Sequence, residues 1–395
     1  MKSTALAYFW SFIFALILSF LVSCQPAQQH QDQKDVIHLT IDPARLPPIA
    51  KLTEIAQSIR IVPLETNPGC LIGSIQNLYA GKNSILVSTS GGGGKSGGES
   101  KLLHFTSGGK FLNNIGRVGK GPGEYSDVND MSVFENPLRV MIYPSRMLKI
   151  LEYSFNGTLN REIPFGNGLN NCRIFDGNRS AFTSYIDYKV NIINAKTSDT
   201  ARYIKVTKET QSGFGSLEGS PLTGFFYTGV GMDTIWRIDQ DSMRPKIICN
   251  FGSGHYSTQD YMRAVIQGLN YPPGKLIIGV GRVLSGSGYY QFLLTRENEQ
   301  KSYIWAHVMI NESENKSWHL EEGLDSDDIL FCTSKVFMTV ASSGEWVSVV
   351  GAGELIEALP KIKANRNFSY PPELITQIEK MTVEDNPVIV FYTLK

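Results

Sequence analysis

The chain has 395 residues, of which 42% are hydrophobic, a content typical of a folded globular protein. Its 37 lysine and arginine residues balance 37 aspartate and glutamate residues, so the formal net charge is zero. A protein that binds nucleic acid needs a basic face, and this balance argues against nucleic acid as a partner.

The first residues have the pattern of a secretory signal peptide. Lys2 supplies a positive charge, and residues 5–22 are apolar apart from two serines. A stretch of about 18 apolar residues could also span a bilayer as a permanent anchor. Residues 21–24, Leu-Val-Ser-Cys, look like the lipobox of bacterial lipoproteins, in which a small residue precedes the lipidated cysteine. We therefore predict a signal peptide at residues 1–23 and a lipid on Cys24 that holds the protein at a membrane.

The residues after this cysteine are polar and show no hydrophobic period. Residues 24–35 cannot bury enough apolar surface to order themselves, so they are predicted to form a lipidated, flexible tether. Residues 36–395 are predicted to form one domain, because closed all-β folds often run long as a single unit.

Short strands separated by Gly, Asn and Ser turns dominate residues 71–165. Within them, residues 101–115 align without a gap on residues 149–163, so the offset is 48 residues. Each copy consists of a strand, a tight turn that ends in a glycine (Gly109 or Gly157) and a return strand. A repeat of 40–50 residues that carries four strands is typical of a β-propeller blade.

The number of blades follows from the length left for them. The 337 residues from position 59 to the end fit seven such repeats, or six with insertions. Two insertions have helical patterns, one at residues 261–267 after the capping box Ser257-x-x-Asp260, and one at residues 374–378 after two prolines. We therefore predict an all-β fold: a six-bladed β-propeller of four-stranded antiparallel blades with small helical insertions. Seven blades are the alternative.

The two ends of the domain both carry strongly β-forming segments. Residues 388–392 (Val-Ile-Val-Phe-Tyr) lie close to the C-terminus, and residues 59–64 follow the tether. Pairing them in one blade would remove a free sheet edge, so we expect these two segments to close the ring.

Three segments resemble one known family. The run at residues 116–125, Gly-Arg-Val-Gly-Lys-Gly-Pro-Gly-Glu-Tyr, is similar to the signature of the six-bladed, NHL-like β-propeller lipoproteins of Bacteroides and relatives. Residues 61–66 and 386–395 resemble the termini of that family. The resemblance implies a propeller, a lipid anchor and a place in the cell envelope, with the outer membrane expected and its periplasmic or outer face left open. It implies no settled activity and no active-site residues.

The glycine-rich run itself has two interpretations. Arg117 and Lys120, with several backbone N–H groups, could present positive charge to an anion. Alternatively, the glycines turn the chain between two blades, Tyr125 packs in the core and Glu124 pairs with a nearby cation. We favour the structural interpretation.

Acidic residues near blade boundaries are the candidates for a channel-mouth site. They are Asp127, Asp130, Asp233 and Asp325, together with Glu124. No HExxH motif and no Ser–His–Asp order accompanies them, so no catalytic residue is predicted.

The sequence predicts no metal site and no cofactor. Calcium would need oxygen ligands, and residues 325–328 contain three aspartates, but the rest of an EF-hand is absent and solvated turns are favoured. The remaining cysteines are far apart and lie in apolar runs, which favours buried thiols over disulfides; they are Cys70, Cys172, Cys249 and Cys332.

Two functions remain open. The first is a lipid-anchored binding or scaffold module of the envelope, for a protein or glycan partner. The alternative is a propeller enzyme, a lyase or hydrolase, with its site in the central channel. Because propellers host both and no catalytic motif is present, we favour the binding module.

Overall fold

The computed structural model describes residues 35–41, 51–90, 100–144, 147, 149–164, 172–176, 178–183, 188–194, 196–197, 199–205, 215–229, 231–239, 242–257, 259–260, 277–297, 303–321, 327–332 and 337–395. The chain divides into two compact units, Met1–Ile37 and His38–Lys395, and the fold below is that of the second. The signal peptide, Cys24, Asp325 and the helix expected at residues 261–267 lie outside the described residues.

Short strands make up most of the domain. In chain order the first elements are β1 (Ile37–Thr40), α1 (Leu52–Ile55), β2 (Ala56–Pro63), β3 (Ser74–Ala80), β4 (Ser84–Ser90), β5 (Lys101–Thr106), β6 (Phe111–Asn114), β7 (Arg117–Val118), β8 (Glu124–Tyr125), β9 (Asp130–Glu135), β10 (Leu138–Tyr143), β11 (Lys149–Ser154), β12 (Leu159–Pro164), β13 (Cys172–Ile174), β14 (Arg179–Thr183), β15 (Tyr188–Asn194) and β16 (Thr200–Lys205). The later elements are β17 (Gly215–Ser220), β18 (Gly224–Gly229), β19 (Thr234–Ile238), β20 (Met243–Asn250), a 3-10 turn (Gly252–Gly254), β21 (Ile277–Gly286), β22 (Tyr289–Glu297), β23 (Tyr303–Asn311), β24 (Lys316–Glu321), β25 (Thr339–Val340), β26 (Trp346–Val350), α2 (Ala352–Ala364), α3 (Pro372–Glu379) and β27 (Val388–Leu394).

These strands form six antiparallel sheets in a ring, so the fold is a six-bladed β-propeller. From the innermost strand outward, blades 1 to 5 are β3–β6, β9–β12, β13–β16, β17–β20 and β21–β24, and blade 6 is β25–β26–β27–β2. The six innermost strands contact one another in order, and β25 contacts β3. β1 adds a fifth strand beside β20. The predicted fold is confirmed, and the seven-blade alternative is wrong.

The sequence repeat corresponds to the outer hairpins of blades 1 and 2. β5 and β11 begin at Lys101 and Lys149, 48 residues apart, as the alignment predicts. The turn glycines Gly109 and Gly157 have φ values of +86° and +88°, which side chains with a Cβ rarely adopt.

Blade 6 joins the two ends of the domain. β27 lies between β26 and β2, with Ile59 opposite Tyr392 and Pro63 opposite Val388. The predicted closure is confirmed. It leaves β2, from the N-terminal side, as the outermost strand of the last blade.

The core lies between neighbouring blades. Between blades 1 and 2, for example, Leu86, Leu102, Val140 and Leu151 are fully buried. Burying each such side chain contributes about 1.5–3 kcal/mol. The four described cysteines are free and buried, as predicted.

Two helices cover blade 6. The helix expected at residues 374–378 is α3, which begins at Pro372, where a missing N–H costs nothing. Helix α2 was not predicted. Its buried face includes Leu355, Ala358 and Ile362. Two glycines at its start and Pro360 near its end obscure this helical pattern in the sequence.

Candidate functional site

The glycine-rich run forms a compact corner between blades 1 and 2. β7 and β8 pair in parallel, with Arg117 opposite Glu124, and the Gly119 N–H donates to the Tyr125 carbonyl oxygen at 2.9 Å. The buried Tyr125 hydroxyl donates to the Ile115 carbonyl (3.0 Å) and accepts the Leu102 N–H (3.1 Å). Tyr125 therefore ties the corner to blade 1.

The carboxylate of Glu124 is used within the same corner. It accepts the Gly121 N–H at 2.8 Å, and a Cβ at Gly119 would lie 2.0 Å from its Oε2. The side chains of Arg117 and Lys120 are exposed. Because Glu124 already occupies a backbone donor that an anion would need, this geometry favours the structural interpretation.

The other predicted acids lie at separate places. Asp127 is half-buried and accepts the Ser126 hydroxyl at 2.9 Å. Asp233 is exposed at the start of the third strand of blade 4 and accepts the Thr234 hydroxyl at 2.8 Å. Asp130 is buried at the start of β9, the innermost strand of blade 2. Of these three, only Asp130 lines the central channel.

The channel holds a cavity of about 500 Å³. Residues of all six blades line it, from β3, β9, β13, β17 and β21 and from Thr339 of β25. Cavities of this size are typical of small-ligand sites. The ring of blades thus creates a central pocket.

A buried ion pair crosses the wall between blades 2 and 3. Asp130 Oδ1 lies 2.7 Å from Arg173 Nη1, and the same nitrogen donates to the Cys172 carbonyl oxygen at 3.1 Å. Asp130 is only 3% exposed. Burial raises the pKa of its carboxyl above the ordinary value, although the charge of Arg173 opposes this shift.

The ion pair does not satisfy all of its polar atoms. Among the described residues, Asp130 Oδ2 and Arg173 Nε are buried without a hydrogen-bond partner. The same holds for Gln291 Oε1, on the second strand of blade 5, whose amide nitrogen donates weakly to Phe337. Buried unpartnered atoms cost roughly 1–3 kcal/mol each, and a cluster around one cavity is a feature of functional sites.

Blade 5 contributes Arg282 and His307 to the same cavity wall. His307 is 3% exposed, and burial together with the charge of Arg282 lowers its pKa to about 3. The imidazole is therefore neutral at physiological pH. In blade 4, Glu218 accepts the Ser216 hydroxyl at 2.5 Å and also lines the cavity. Two guanidinium groups, two carboxylates and a neutral imidazole thus line one pocket.

The model of one protein family matches residues 36–393, nearly all of the chain outside the predicted signal peptide and tether. This family is described as a domain of unknown function, DUF4934. The chain belongs to the DUF4934 family. No curated protein sequence matches it.

Several solved structures similar to this DUF4934 chain come from Bacteroides species. A protein of Bacteroides fragilis named as exported has a TM-score of 0.65 at 15% identity, over 91% of this chain and 99% of that one. A member of the DUF4221 family from Bacteroides vulgatus has a TM-score of 0.47 at 10% identity, over 86% and 97%. An auxiliary nutrient binding protein of Bacteroides thetaiotaomicron has a TM-score of 0.42 at 8% identity, over 77% and 72%. The first of these likenesses supports the fold.

Sequence reasoning missed most of the DUF4934 channel wall. Asp130 was a candidate, but Arg173, Glu218, Arg282 and His307 were not. For Arg173, Glu218 and Arg282 the signal is a charged residue within the first strand of a blade, because that strand faces the channel. This signal can be recognised only when the blade boundaries are known. The later sequence repeats are too degenerate to reveal those boundaries. His307 lies on β23, the third strand of blade 5, and lacks this signal.

In the described part of this DUF4934 chain, no three His, Cys, Asp or Glu side chains come together as a metal site. No helix of that part is long and apolar enough to cross a membrane. The expectation of a solvated turn is wrong at Asp327, which is buried. Its carboxylate accepts the N–H groups of Ile329, Leu330 and Cys332 at 2.8–3.2 Å, so it stabilises a backbone turn.

Proposed function

We propose that this protein is a lipid-anchored binding module of the cell envelope whose central channel binds a glycan. The observation that carries this proposal is the central cavity of about 500 Å³, lined by residues of all six blades. The Asp130–Arg173 pair and Gln291, with their unpartnered atoms, lie on its wall.

The chemistry of the wall suits sugar hydroxyl groups. A hydroxyl both donates and accepts, so it can bridge a carboxylate or amide oxygen to a guanidinium N–H. Asp130 and Glu218 supply acceptors, Arg173 and Arg282 supply donors, and the neutral His307 can do either. A purely anionic ligand would leave the carboxylates without a partner, and a purely cationic ligand would leave the guanidinium groups without one.

The envelope location rests on the N-terminal sequence. Residues 21–24 supply the lipobox, and a structural neighbour is itself named as exported. A lipid on Cys24, with the polar tether behind it, would hold the propeller at the membrane surface.

Calorimetric titration with mono- and oligosaccharides tests the channel. We expect saturable binding that weakens at least tenfold in Arg282→Gln, which alters the cavity wall at an exposed side chain. Arg366→Gln, an exposed residue after α2, is the matched control and should bind as the native protein does. If no saccharide binds, or if both variants bind equally well, the channel is not a glycan site.

Detergent phase partitioning of the full chain, expressed in a bacterial host, tests the anchor. The native protein should enter the detergent phase and Cys24→Ser should stay in the aqueous phase. Cys70→Ser, a buried thiol of the propeller, controls for loss of a cysteine. Equal partitioning of native protein and Cys24→Ser would contradict lipidation at this residue.

A further inference from the structure

A second pocket lies away from the channel, between blades 2 and 3. It is an open groove of about 550 Å³, and four cationic side chains line it: Arg139, Arg161, Arg179 and Lys196. We call it the basic groove. Arg139 and Arg179 lie near the starts of β10 and β14, Arg161 lies on β12 and Lys196 follows β15. In each blade, one of these residues lies near the turn between the first and second strands. The other lies near the turn between the third and fourth strands. These turns are at the same end of a blade, so one end of blades 2 and 3 supplies all four charges.

Two carboxylates orient the guanidinium groups without neutralising the groove. Glu152 Oε2 accepts Arg161 through Nε at 3.0 Å and Nη2 at 2.9 Å, and lies 3.8 Å from Arg139 Nε. Asp176 accepts Arg179 Nε at 3.0 Å and is also held by two backbone N–H groups. Among the residues that the structure describes, the four cations of the groove thus outnumber the two carboxylates that contact them.

Arg139 is the least satisfied member of the set. Its guanidinium lies 4.9 Å from the centre of the Phe134 ring, and its Nε is buried without a hydrogen-bond partner among the described residues. Lys196 is exposed at the rim. Like charges that line one groove repel one another, and a bound anion relieves that repulsion.

We infer that the basic groove binds a tetrahedral oxyanion, a sulfate or phosphate group, with a charge of about −2. Guanidinium groups present paired N–H donors whose geometry matches the oxygens of such a group. The carboxylates of Glu152 and Asp176 hold these guanidinium groups in position. The anion can be a free ion or an ester on a glycan chain. This site is independent of the channel.

Calorimetric titration of the full propeller with sodium sulfate and sodium phosphate, at an ionic strength held constant with sodium chloride, tests the inference. We expect saturable binding that weakens at least tenfold in the double variant Arg179→Gln/Lys196→Gln. The control is Lys316→Gln/Lys363→Gln, which also removes two cations. Both are exposed and ion-paired, and both lie outside the basic groove. The control should bind as the native protein does.

A parallel titration with a sulfated disaccharide and its desulfated form separates the two sources of the anion. If the sulfated sugar binds more tightly than free sulfate and than the desulfated sugar, and this gain is lost in Arg179→Gln/Lys196→Gln, the ligand of the groove is an ester on a glycan. Equal binding of the sulfated sugar and free sulfate identifies the free ion. If Arg179→Gln/Lys196→Gln does not fold, Lys196→Glu at the exposed rim replaces it and should weaken binding similarly. No saturable binding to the native protein, or an equal loss in groove and control variants, would overturn the inference. Channel variant Arg282→Gln should leave anion binding unchanged.

Discussion

Single residues on the channel wall make the stability of the propeller depend on pH. The pKa of His307 is lowered to about 3 in the folded protein, whereas an unfolded histidine titrates near 6.5. Below about pH 6.5 the unfolded chain takes up a proton that the folded state refuses, so stability falls as the pH falls from there toward 3. The buried His104, whose pKa burial also lowers, acts in the same direction.

We therefore expect the free energy of unfolding to fall by up to about 1.4 kcal/mol per pH unit for His307 alone between pH 6 and pH 4. Urea denaturation at several pH values across this range measures the free energy of unfolding. This free energy should depend less steeply on pH in His307→Gln than in the native protein. His38→Gln, at an exposed position, should keep the native slope. Parallel curves for His307→Gln and the native protein would contradict the assignment.

The hydroxyl of Tyr125 offers a second test at this scale. Tyr125→Phe removes the group that bridges Ile115 and Leu102, leaving a buried carbonyl and a buried N–H without this partner. Thermal and urea unfolding should show a loss of about 1–3 kcal/mol. The half-buried Tyr188→Phe is the control, with an expected change within about 0.5 kcal/mol. Similar losses in both variants would argue against a special role of this corner.

Individual channel residues were hard to predict for a physical reason. Asp130 stood out because it follows the glycine-rich corner, a recognisable boundary. Arg173 lies in the three-residue strand β13, which is too short to show an alternating pattern. His307 lies in the middle of an apolar strand, where it looks like an ordinary core residue. Its place on the wall depends on the packing of six blades, which no local pattern encodes.

At the scale of elements, the two hairpins of the repeat form a matched pair. A Cβ at Gly109 would lie 2.0 Å from the Pro63 carbonyl oxygen, and one at Gly157 would lie 2.9 Å from the Asn114 carbonyl oxygen. Both alanine variants incur the positive-φ cost of about 1–2 kcal/mol. Gly109→Ala must also push β2 aside, so its loss of unfolding free energy should be the larger one. Chemical denaturation measures both, and an equal loss would show that β2 yields freely at this contact.

Elements with strong local signals were predictable, and those with mixed signals were not. The hairpin turns carry glycine at the residue that needs a positive φ, and α3 begins with a favourable proline. Helix α2 contains Pro360, a residue that normally ends a helix, and packing of Leu355 and Ile362 against blade 6 overrides that preference. β25 has only two residues, so its identity as an innermost strand comes from the ring and not from its own sequence.

At the scale of the whole molecule, the closure was predictable because both ends of the domain are strongly β-forming. The six-blade count followed instead from the repeat length and the helical insertions. The closing strand can be tested directly. Val390 is paired on both sides, with Ile61 and Ser348, so Val390→Pro removes a ladder N–H inside the sheet. We expect a loss of about 1–3 kcal/mol and a less cooperative thermal transition.

The control for this variant is Asn160→Pro, at the bulge of the edge strand β12, where no ladder partner is assigned. It should unfold within about 1 kcal/mol of the native protein. If Asn160→Pro lowers the free energy of unfolding as much as Val390→Pro does, closure of the ring contributes no more to stability than the pairing of any other strand.

The pairing of β2 with β27 also has a consequence for biosynthesis. β2 leaves the ribosome first, but its partner strand is made about 325 residues later, which at roughly 5–20 residues per second is about 15–65 s of synthesis. Throughout that time β2 has an unpaired edge and no blade to join. The nascent chain therefore exposes an edge that could pair with another chain until its last residues emerge.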